Sequence, residues 1–294
     1  MVWLVGHKGM LGTEVARLLT EQDVAFVATD VDVDITSAQA VDDFVSAHVP
    51  DWIVNCAAYT AVDQAEDDEE RAYAINATGP ANLARAAAST PELTRLVHVS
   101  TDYVFDGTAA SPISEDTPTK PLGAYGRTKE AGERAVTAGC ASHFVVRTAW
   151  LYGVHGKNFV STMLRLMRER DELSVVSDQV GSPTYAVDLA RAIVRFVVTD
   201  CRDYGFYHYT NAGETSWHGF ARAIQEDAFA RGLIDRRIPV RPIAAADYPA
   251  KAPRPAYSVL STGRIREALA IDIADWRDGL ARYFDQYQSE TGGT

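Results

Sequence analysis

The sequence predicts an α/β fold, a doubly wound parallel sheet followed by a smaller C-terminal lobe. Two observations lead there. Short β-branched runs alternate with helical patterns through the first 150 residues, and a glycine-rich turn joins the first run to the first helical pattern. The 294 residues, 47% of them hydrophobic, are enough to bury a sizeable core.

The runs read as strands are Val2–Val5, Val24–Ala28, Trp52–Asn55, Leu96–Ser100 and Phe144–Arg147. Between the first two, Leu11, Val15, Leu18 and Leu19 recur at the spacing of one helical face. After Trp150 the rhythm loosens. Helical segments are expected at Asn158–Arg170, Val187–Val198, Ser216–Arg231 and Asp275–Gln288, with strand-like pieces at Leu173–Val176, Phe206–Thr210 and Val240–Ile243. The stretches Pro112–Pro121 and Pro249–Pro255 read as loops over a site, the first bordering its cleft between Thr101 and Tyr125.

Charge and cysteine usage narrow the function. With 28 Lys+Arg against 40 Asp+Glu the formal charge is −12, which gives no footprint for a nucleic acid polymer or an anionic membrane. An anionic ligand must therefore meet a local site. Three cysteines, Cys56, Cys140 and Cys201, show no CxxC spacing, so a disulfide framework and a structural zinc site are not expected. The apolar segment after Met1 is too short for a signal peptide and no run of about 18 apolar residues occurs, so a cytoplasmic location is expected.

Gly6-His7-Lys8-Gly9-Met10-Leu11-Gly12 is GxxGxxG placed directly after the first strand and opening the first helix. Such glycines let the backbone turn tightly and approach a pyrophosphate, which then faces the unpaired N–H groups of the helix. Asp30 follows Gly12 by 18 residues, where a carboxylate can accept hydrogen bonds from an adenosine ribose. The fold expected is thus Rossmann-type. Asp30 would repel a 2′-phosphate and favours NADH over NADPH, with Lys8 as an offset.

The second constellation is Thr101, at the end of the fourth strand, with Tyr125 and Lys129 spaced i, i+4 on a helix expected over Gly123–Val136. That spacing puts phenol and ammonium on one helix face. A nearby ammonium favours phenolate and should bring the tyrosine toward working pH as a general acid. A YxxxK match alone is weak; its company with the glycine turn and the strand-end hydroxyl gives it weight.

Gly6–Gly12, Ser100–Gly107 (STDYVFDG), Tyr125–Lys129, Arg147–Gly153, Asn55–Asp63, Ile75–Pro80, Asp178–Thr184 (DQVGSPT) and Arg254-Pro255 together resemble the extended short-chain dehydrogenase/reductases, and within them the dTDP-4-dehydrorhamnose reductase family. The resemblance covers nearly the whole chain. It implies NADH- or NADPH-dependent reduction of the C4 ketone of a dTDP-linked sugar, with residues 1–150 as the NAD(P)-binding domain. Residues 151–294 would be mainly a substrate-binding lobe, some segments returning to the sheet. By the same resemblance Tyr125 is the proton donor, Lys129 holds the nicotinamide ribose, and Thr101 hydrogen-bonds the keto oxygen. Lys8, Met10 and Leu11 belong to the cofactor turn; Asp34 and Ile35 lie beside the adenine, and Ala57, Ala58 and Tyr59 lie over the cofactor's centre. Thr101, Asp102 and Trp150 match substrate contacts, Trp150 offering a sugar-facing ring unless it is a core residue.

Some members of that family carry a magnesium-linked homodimer using glutamates, which makes Glu14 a candidate ligand, although the second position falls imperfectly near Val187-Asp188. A lone Glu in a first helical turn is more often a partner of the helix dipole. Three rivals stay open. A sugar-nucleotide dehydratase or epimerase is disfavoured by Tyr103, which stands where the dehydratases place an acid. The others are a reductase of another nucleotide-linked 4-ketosugar and a non-catalytic cofactor-binding subunit like that of methionine adenosyltransferase.

Overall fold

The computed structural model describes residues 1–90 and 94–291. Its strands are β1 (Val2–Val5), β2 (Phe26–Thr29), β3 (Trp52–Asn55), β4 (Arg95–Thr101), β5 (His143–Thr148), β6 (Leu151–Tyr152), β7 (Leu173–Val176), β8 (Val180–Gly181), β9 (Thr184–Tyr185), β10 (Gly205–His208), β11 (Thr215–Ser216) and β12 (Val240–Ile243). Six of them make one parallel sheet in the order β10-β5-β4-β3-β1-β2. From β1 the chain goes outward to β2 and then returns to the other side, so the order reverses between β1 and β3. Open α/β sheets leave a crevice at that point, beyond the carboxyl ends of the strands.

Helices cover both faces, as the near-continuous apolar strands require. On one face α1 (Met10–Glu21) packs with α8 (Ala186–Val198), burying Leu11, Val15, Leu18 and Leu19 against Leu189, Ile193 and Phe196. The opposite face carries α2 (Ala38–His48), α5 (Gly79–Ser89) and α6 (Ala124–Gly139), with Ile53, Leu83, Leu96 and Val136 in its core. Ahead of α5 the short α3 (Val62–Ala65) and α4 (Glu69–Tyr73) run into a π-helical turn, Ala74–Thr78.

The second half divides its allegiance. β10 hydrogen-bonds to β5 at the edge of the main sheet, and α8 lies on α1, so residues 186–208 belong to the nucleotide-binding layer. α7 (Phe159–Glu169), α9 (Trp217–Ala230) and α11 (Trp276–Thr291) gather a separate core around Tyr152, Phe220, Trp276 and Tyr283, edged by the parallel pair β7 and β12. α10 (Gly263–Leu269) returns Ile265 and Leu269 to the first core. The lobe expected over 151–294 extends three residues beyond the described residues. No helix among the described residues is long and apolar enough to cross a membrane.

Two expectations change. β2 starts at Phe26, not Val24, because Asp23 adopts a left-handed φ of 54° and Val24 donates its N–H to Leu19 in closing α1. The Pro112–Pro121 stretch packs across the end of β10. Ile113 is buried and bridges to Leu260, and the buried Glu115 accepts the His208 N–H at 3.3 Å. An apolar anchor and a satisfied carboxylate hold its first half there, while its end returns to the site, Lys120 donating its N–H to the Val104 carbonyl and Pro121 packing beside Gly126.

Glu133 and Arg147 form a buried pair at 2.7 Å, with Ser100 donating to the same carboxylate and Phe206 4.5 Å beneath the guanidinium. Removing one member leaves the other charge buried without its counter-ion. Glu133→Leu should therefore lose about 3 to 5 kcal/mol in urea titration. Adding Arg147→Met should restore most of that, and a neutral single variant would show that the pair is not holding α6 to the sheet.

Candidate active site

At the crevice between β1 and β3 lies a cavity of about 600 Å³ lined by Gly6, Lys8, Gly9, Asp30, Asp34, Ile35, Thr36, Cys56, Ala57, Ala58 and Ile75, among others. Its floor is shaped by the glycine turn. Gly6 has a φ of +78°, and a Cβ there would come within 2.7 Å of the Ala57 nitrogen. A Cβ on Gly12 would lie 2.1 Å from the Gly6 carbonyl oxygen, so α1 can begin this close to the turn only without a side chain there. Met10 and Gly12 are not among the lining residues, and Leu11 turns its side chain into the core. What these three present is the opening backbone of α1, whose first N–H groups lack intrahelical acceptors.

Asp30 closes the far side. Its carboxylate accepts the Lys8 N–H at 3.1 Å and the Val31 N–H at 2.9 Å. Asp34 accepts from the Thr36 N–H and hydroxyl at 2.9 and 2.7 Å. The Ala57–Tyr59 loop is fixed from below by two buried asparagines. Asn55 Oδ1 accepts the Ala57 N–H at 3.0 Å; Asn76, in the π-helical turn, accepts from Tyr59 N–H at 2.8 Å and donates back to the Tyr59 carbonyl at 3.1 Å. A π-turn inside a helix often marks a functional site. Asn76 was not singled out as a site residue in the sequence, because a buried amide leaves no periodic signal.

One face of α6 carries three buried titratable side chains. Tyr125, Lys129 and Glu133 follow one another at intervals of four, and all three are buried. Gly126 and Gly132 let the helix come close: a Cβ on the first would lie 2.2 Å from the Tyr103 oxygen, and on the second 2.1 Å from the Asn76 oxygen. Lys129 donates to the Val99 carbonyl at 2.7 Å. Burial lowers its ammonium to about 8, against the opposing pull of Glu133 and Cys56. Tyr125 hydrogen-bonds the Thr101 hydroxyl, which donates to Asp102 Oδ1 at 3.0 Å.

The acidity of Tyr125 departs from expectation. Burial pushes the phenol up to about 12, with Asp102 adding to the rise and the Thr101 hydrogen bond opposing it. Lys129, turned toward Val99, does not act on it. Its charge is felt instead at Cys56, on the wall of the first cavity.

A second cavity, about 730 Å³, lies beside the C-terminal lobe. Tyr103, edge-on to Tyr125 at 5.4 Å, is on its wall. Phe159, Met163, Leu166, Leu173, Val175 and Trp217 make it largely apolar. Its lining carries two cations, Lys251 and Arg254, and no carboxylate. Both sit in the Pro249–Pro255 stretch and are tied to the segment around α3: Arg254 to Asp63 at 3.0 Å, Lys251 to Asp67. Trp150 is not on the wall. With a left-handed φ of 48° it stacks 3.5 Å from Trp217, so the aromatic wall expected at Trp150 is a stacked pair with Trp217 on the cavity side.

Glu14 does not fit a metal ligand. Its buried carboxylate meets Arg17 at 2.9 Å, Gln286 at 2.9 Å and His155 at 3.4 Å, and Asp188 is paired with Arg282. Among the described residues no group of three His, Cys, Asp or Glu could hold an ion.

The family model described as "RmlD substrate binding domain" matches residues 1–289. The chain belongs to this family. An RmlD relative from Mycolicibacterium smegmatis, named dTDP-4-dehydrorhamnose reductase, is 44% identical over 284 residues, covering 94% of this chain and 83% of its own. A relative from Streptomyces antibioticus is 43% identical over 97% of this chain and 95% of its own, and is named as a probable dTDP-4,6-dihydroxy-2-methyloxan-3-one 4-ketoreductase. The crystal structure of a Bacillus anthracis dTDP-4-dehydrorhamnose reductase with NADP superposes at a TM-score of 0.89, with 39% identity, covering 97% of this chain and 98% of that one. The family is one of NAD(P)H oxidoreductases.

The pH dependence of stability should expose the Lys129 burial. Its folded value, about 8, lies below the ordinary 10.5, so the unfolded chain holds the proton more tightly. The penalty is full below about pH 8 and disappears as pH rises toward 10.5. The stability of the wild type relative to Lys129→Met should therefore rise by roughly 1 to 3 kcal/mol across that window. A constant difference in urea titrations at pH 7.5 and 10 would mean the ammonium is not desolvated.

Proposed function

We propose that this chain reduces the C4 ketone of dTDP-4-dehydro-L-rhamnose to dTDP-L-rhamnose, using NADH or NADPH. The observation that carries the reading is the hydroxyl pair Tyr125–Thr101, backed by the buried Lys129 and neighboured by a cofactor-sized cavity and a largely apolar cavity with two cations. Its family membership supports the same chemistry.

The first cavity suits a dinucleotide. The Gly6–Gly12 turn and the opening N–H groups of α1 would take the pyrophosphate, with Lys8 beside them. Asp30 would hold the adenosine ribose, Asp34 and Ile35 would flank the adenine, and the Ala57–Tyr59 loop would cross the centre. Lys129 would hold the nicotinamide ribose. When bound, the nicotinamide supplies the hydride that attacks C4.

The chain's own residues handle the oxygen. As negative charge grows on the former carbonyl, Tyr125 gives it the Oη proton. Thr101 orients that phenol, and the stacked Trp217–Trp150 pair gives the sugar an aromatic side. Lys251 and Arg254 would neutralise the diphosphate, the local cationic site that a chain of formal charge −12 must supply. A second reading, reduction of a different nucleotide-linked 4-ketosugar, is favoured by the 43% identity to the Streptomyces antibioticus relative.

Following NADH and NADPH consumption against a panel of nucleotide-linked 4-ketosugars tests substrate and cofactor together. The highest kcat/KM is expected with dTDP-4-dehydro-L-rhamnose. A higher value with another sugar selects the second reading, and no consumption with any sugar overturns both. Tyr125→Phe should keep cofactor affinity and lose about 10² to 10⁴ in kcat. Asp30→Ala should shift preference toward NADPH by removing the carboxylate that opposes a 2′-phosphate; fluorescence titrations showing a tenfold NADPH preference already in the wild type, about 1.4 kcal/mol, would contradict that role.

A further inference from the structure

The Thr101 hydroxyl has one proton and two lone pairs, and the structure uses all three. The proton goes to Asp102 Oδ1 at 3.0 Å, one lone pair accepts the Tyr103 N–H at 3.2 Å, and Tyr125 takes the last position. With Thr101 committed as a donor to Asp102, the only hydrogen bond Tyr125 can make to it is as a donor. An ionised Asp102 therefore aims the Tyr125 proton at Thr101, away from a substrate. Yet Asp102 is poorly placed to stay ionised: it is 2% exposed, and its buried Oδ2 makes no well-aligned hydrogen bond, with only the Ser258 hydroxyl nearby to serve it. A buried, half-satisfied carboxylate is expensive, and a proton removes the cost.

We propose that Asp102 is a positioning residue that works in its protonated form, donating to Thr101 so that Thr101 donates to Tyr125 and the Tyr125 proton is freed for the substrate oxygen. The inference rests on the keto-reductase reading of the site. In this arrangement Thr101 still accepts the Tyr103 N–H, so its capacity is again filled. When the Tyr125 O–H bond breaks to protonate the new alkoxide, Tyr125 takes the Thr101 proton and Thr101 takes the Asp102 proton. Three O–H bonds break and three form, no electrons leave the oxygens, and Asp102 ends ionised until water returns its proton.

The surroundings permit the exchange. The Ser258 and Thr101 hydroxyls and the N–H groups of Asp102 and Tyr103 favour the charged form, but burial outweighs them and pushes Asp102 up to about 6. The phenols of Tyr103 and Tyr125 face it, and beyond Tyr103 stands Arg254, already paired with Asp63. A group with its folded value raised is protonated below about 6 and loses the proton as pH climbs, so the competent form is the acid one.

The test is the pH profile of kcat from 5.5 to 8.5, with saturating NADPH and dTDP-4-dehydro-L-rhamnose. Wild type should fall by up to tenfold per pH unit above a midpoint near 6. Asp102→Asn, whose amide N–H donates to Thr101 and does not titrate, should lose that fall. Thr101→Ser, which keeps the hydroxyl link, should retain it, and Thr101→Val should be slower and flat. The proposal is overturned if wild type shows no fall, if Asp102→Asn or Thr101→Val keeps the wild-type midpoint, or if Asp102→Asn binds NADPH normally and has no turnover at any pH. Should Asp102→Asn fail to fold, the contrast between Thr101→Ser and Thr101→Val decides. Failure of the keto-reductase reading looks different: wild type would then consume neither NADH nor NADPH in response to the sugar.

Discussion

A lysine ammonium taken wholly out of water must be repaid by nearby polar groups, and the centre of this protein is arranged around one. Lys129 is 1% exposed, and its Nζ reaches the Val99 carbonyl on the central strand β4. The same helix face places Glu133 one turn on, where it takes Ser100 and Arg147, and Tyr125 one turn back, where it meets Thr101. Three consecutive residues of β4, Val99, Ser100 and Thr101, thus receive three successive turns of α6. Close approach is a precondition, and it explains two glycines inside a helix, each of which weakens the helix by about 1 kcal/mol relative to Ala.

That single register ties the two cavities together. Lys129 acts electrostatically on Cys56, which lines the first cavity, and Tyr125 packs edge-on against Tyr103, which lines the second, with its cations. The strongly acidic chain confines its positive charge on the second side to a proline-rich strap whose arginine and lysine are held by Asp63 and Asp67. In the proposed reading, a diphosphate arriving there would compete with those carboxylates for the same cations, and part of its binding energy would go into exchanging partners.

Much of this was legible in the sequence, for physical reasons that can be named. Strands buried on both faces read as apolar runs, which is why β1 and β3 have the bounds expected of them, and the glycine turn is local in sequence as well as in space. The i, i+4 spacing of Tyr125 and Lys129 needs only a helix to become a shared face. What escaped was set by tertiary packing. The direction of the Lys129 ammonium depends on which carbonyl of β4 lies beneath it, so the expected lowering of the Tyr125 phenol did not appear. Trp217, Lys251 and Arg254 reach the cavity from segments about 65 to 105 residues beyond Trp150, and the first half of Pro112–Pro121 went to the sheet edge because Ile113 and Glu115 found buried partners there. Spacing along the chain carries no signal for such meetings.

The β4–α6 register serves a ketone reduction at one carbon of a nucleotide-linked sugar. Its most direct test is a single turnover with nicotinamide cofactor deuterated at C4, on each face in turn, and dTDP-4-dehydro-L-rhamnose, followed by NMR of the sugar product. Deuterium is expected at C4 of dTDP-L-rhamnose from one cofactor face only, with transfer slowed by about 10² to 10⁴ in Tyr125→Phe. Deuterium at another carbon, or undiminished transfer in that variant, would contradict it.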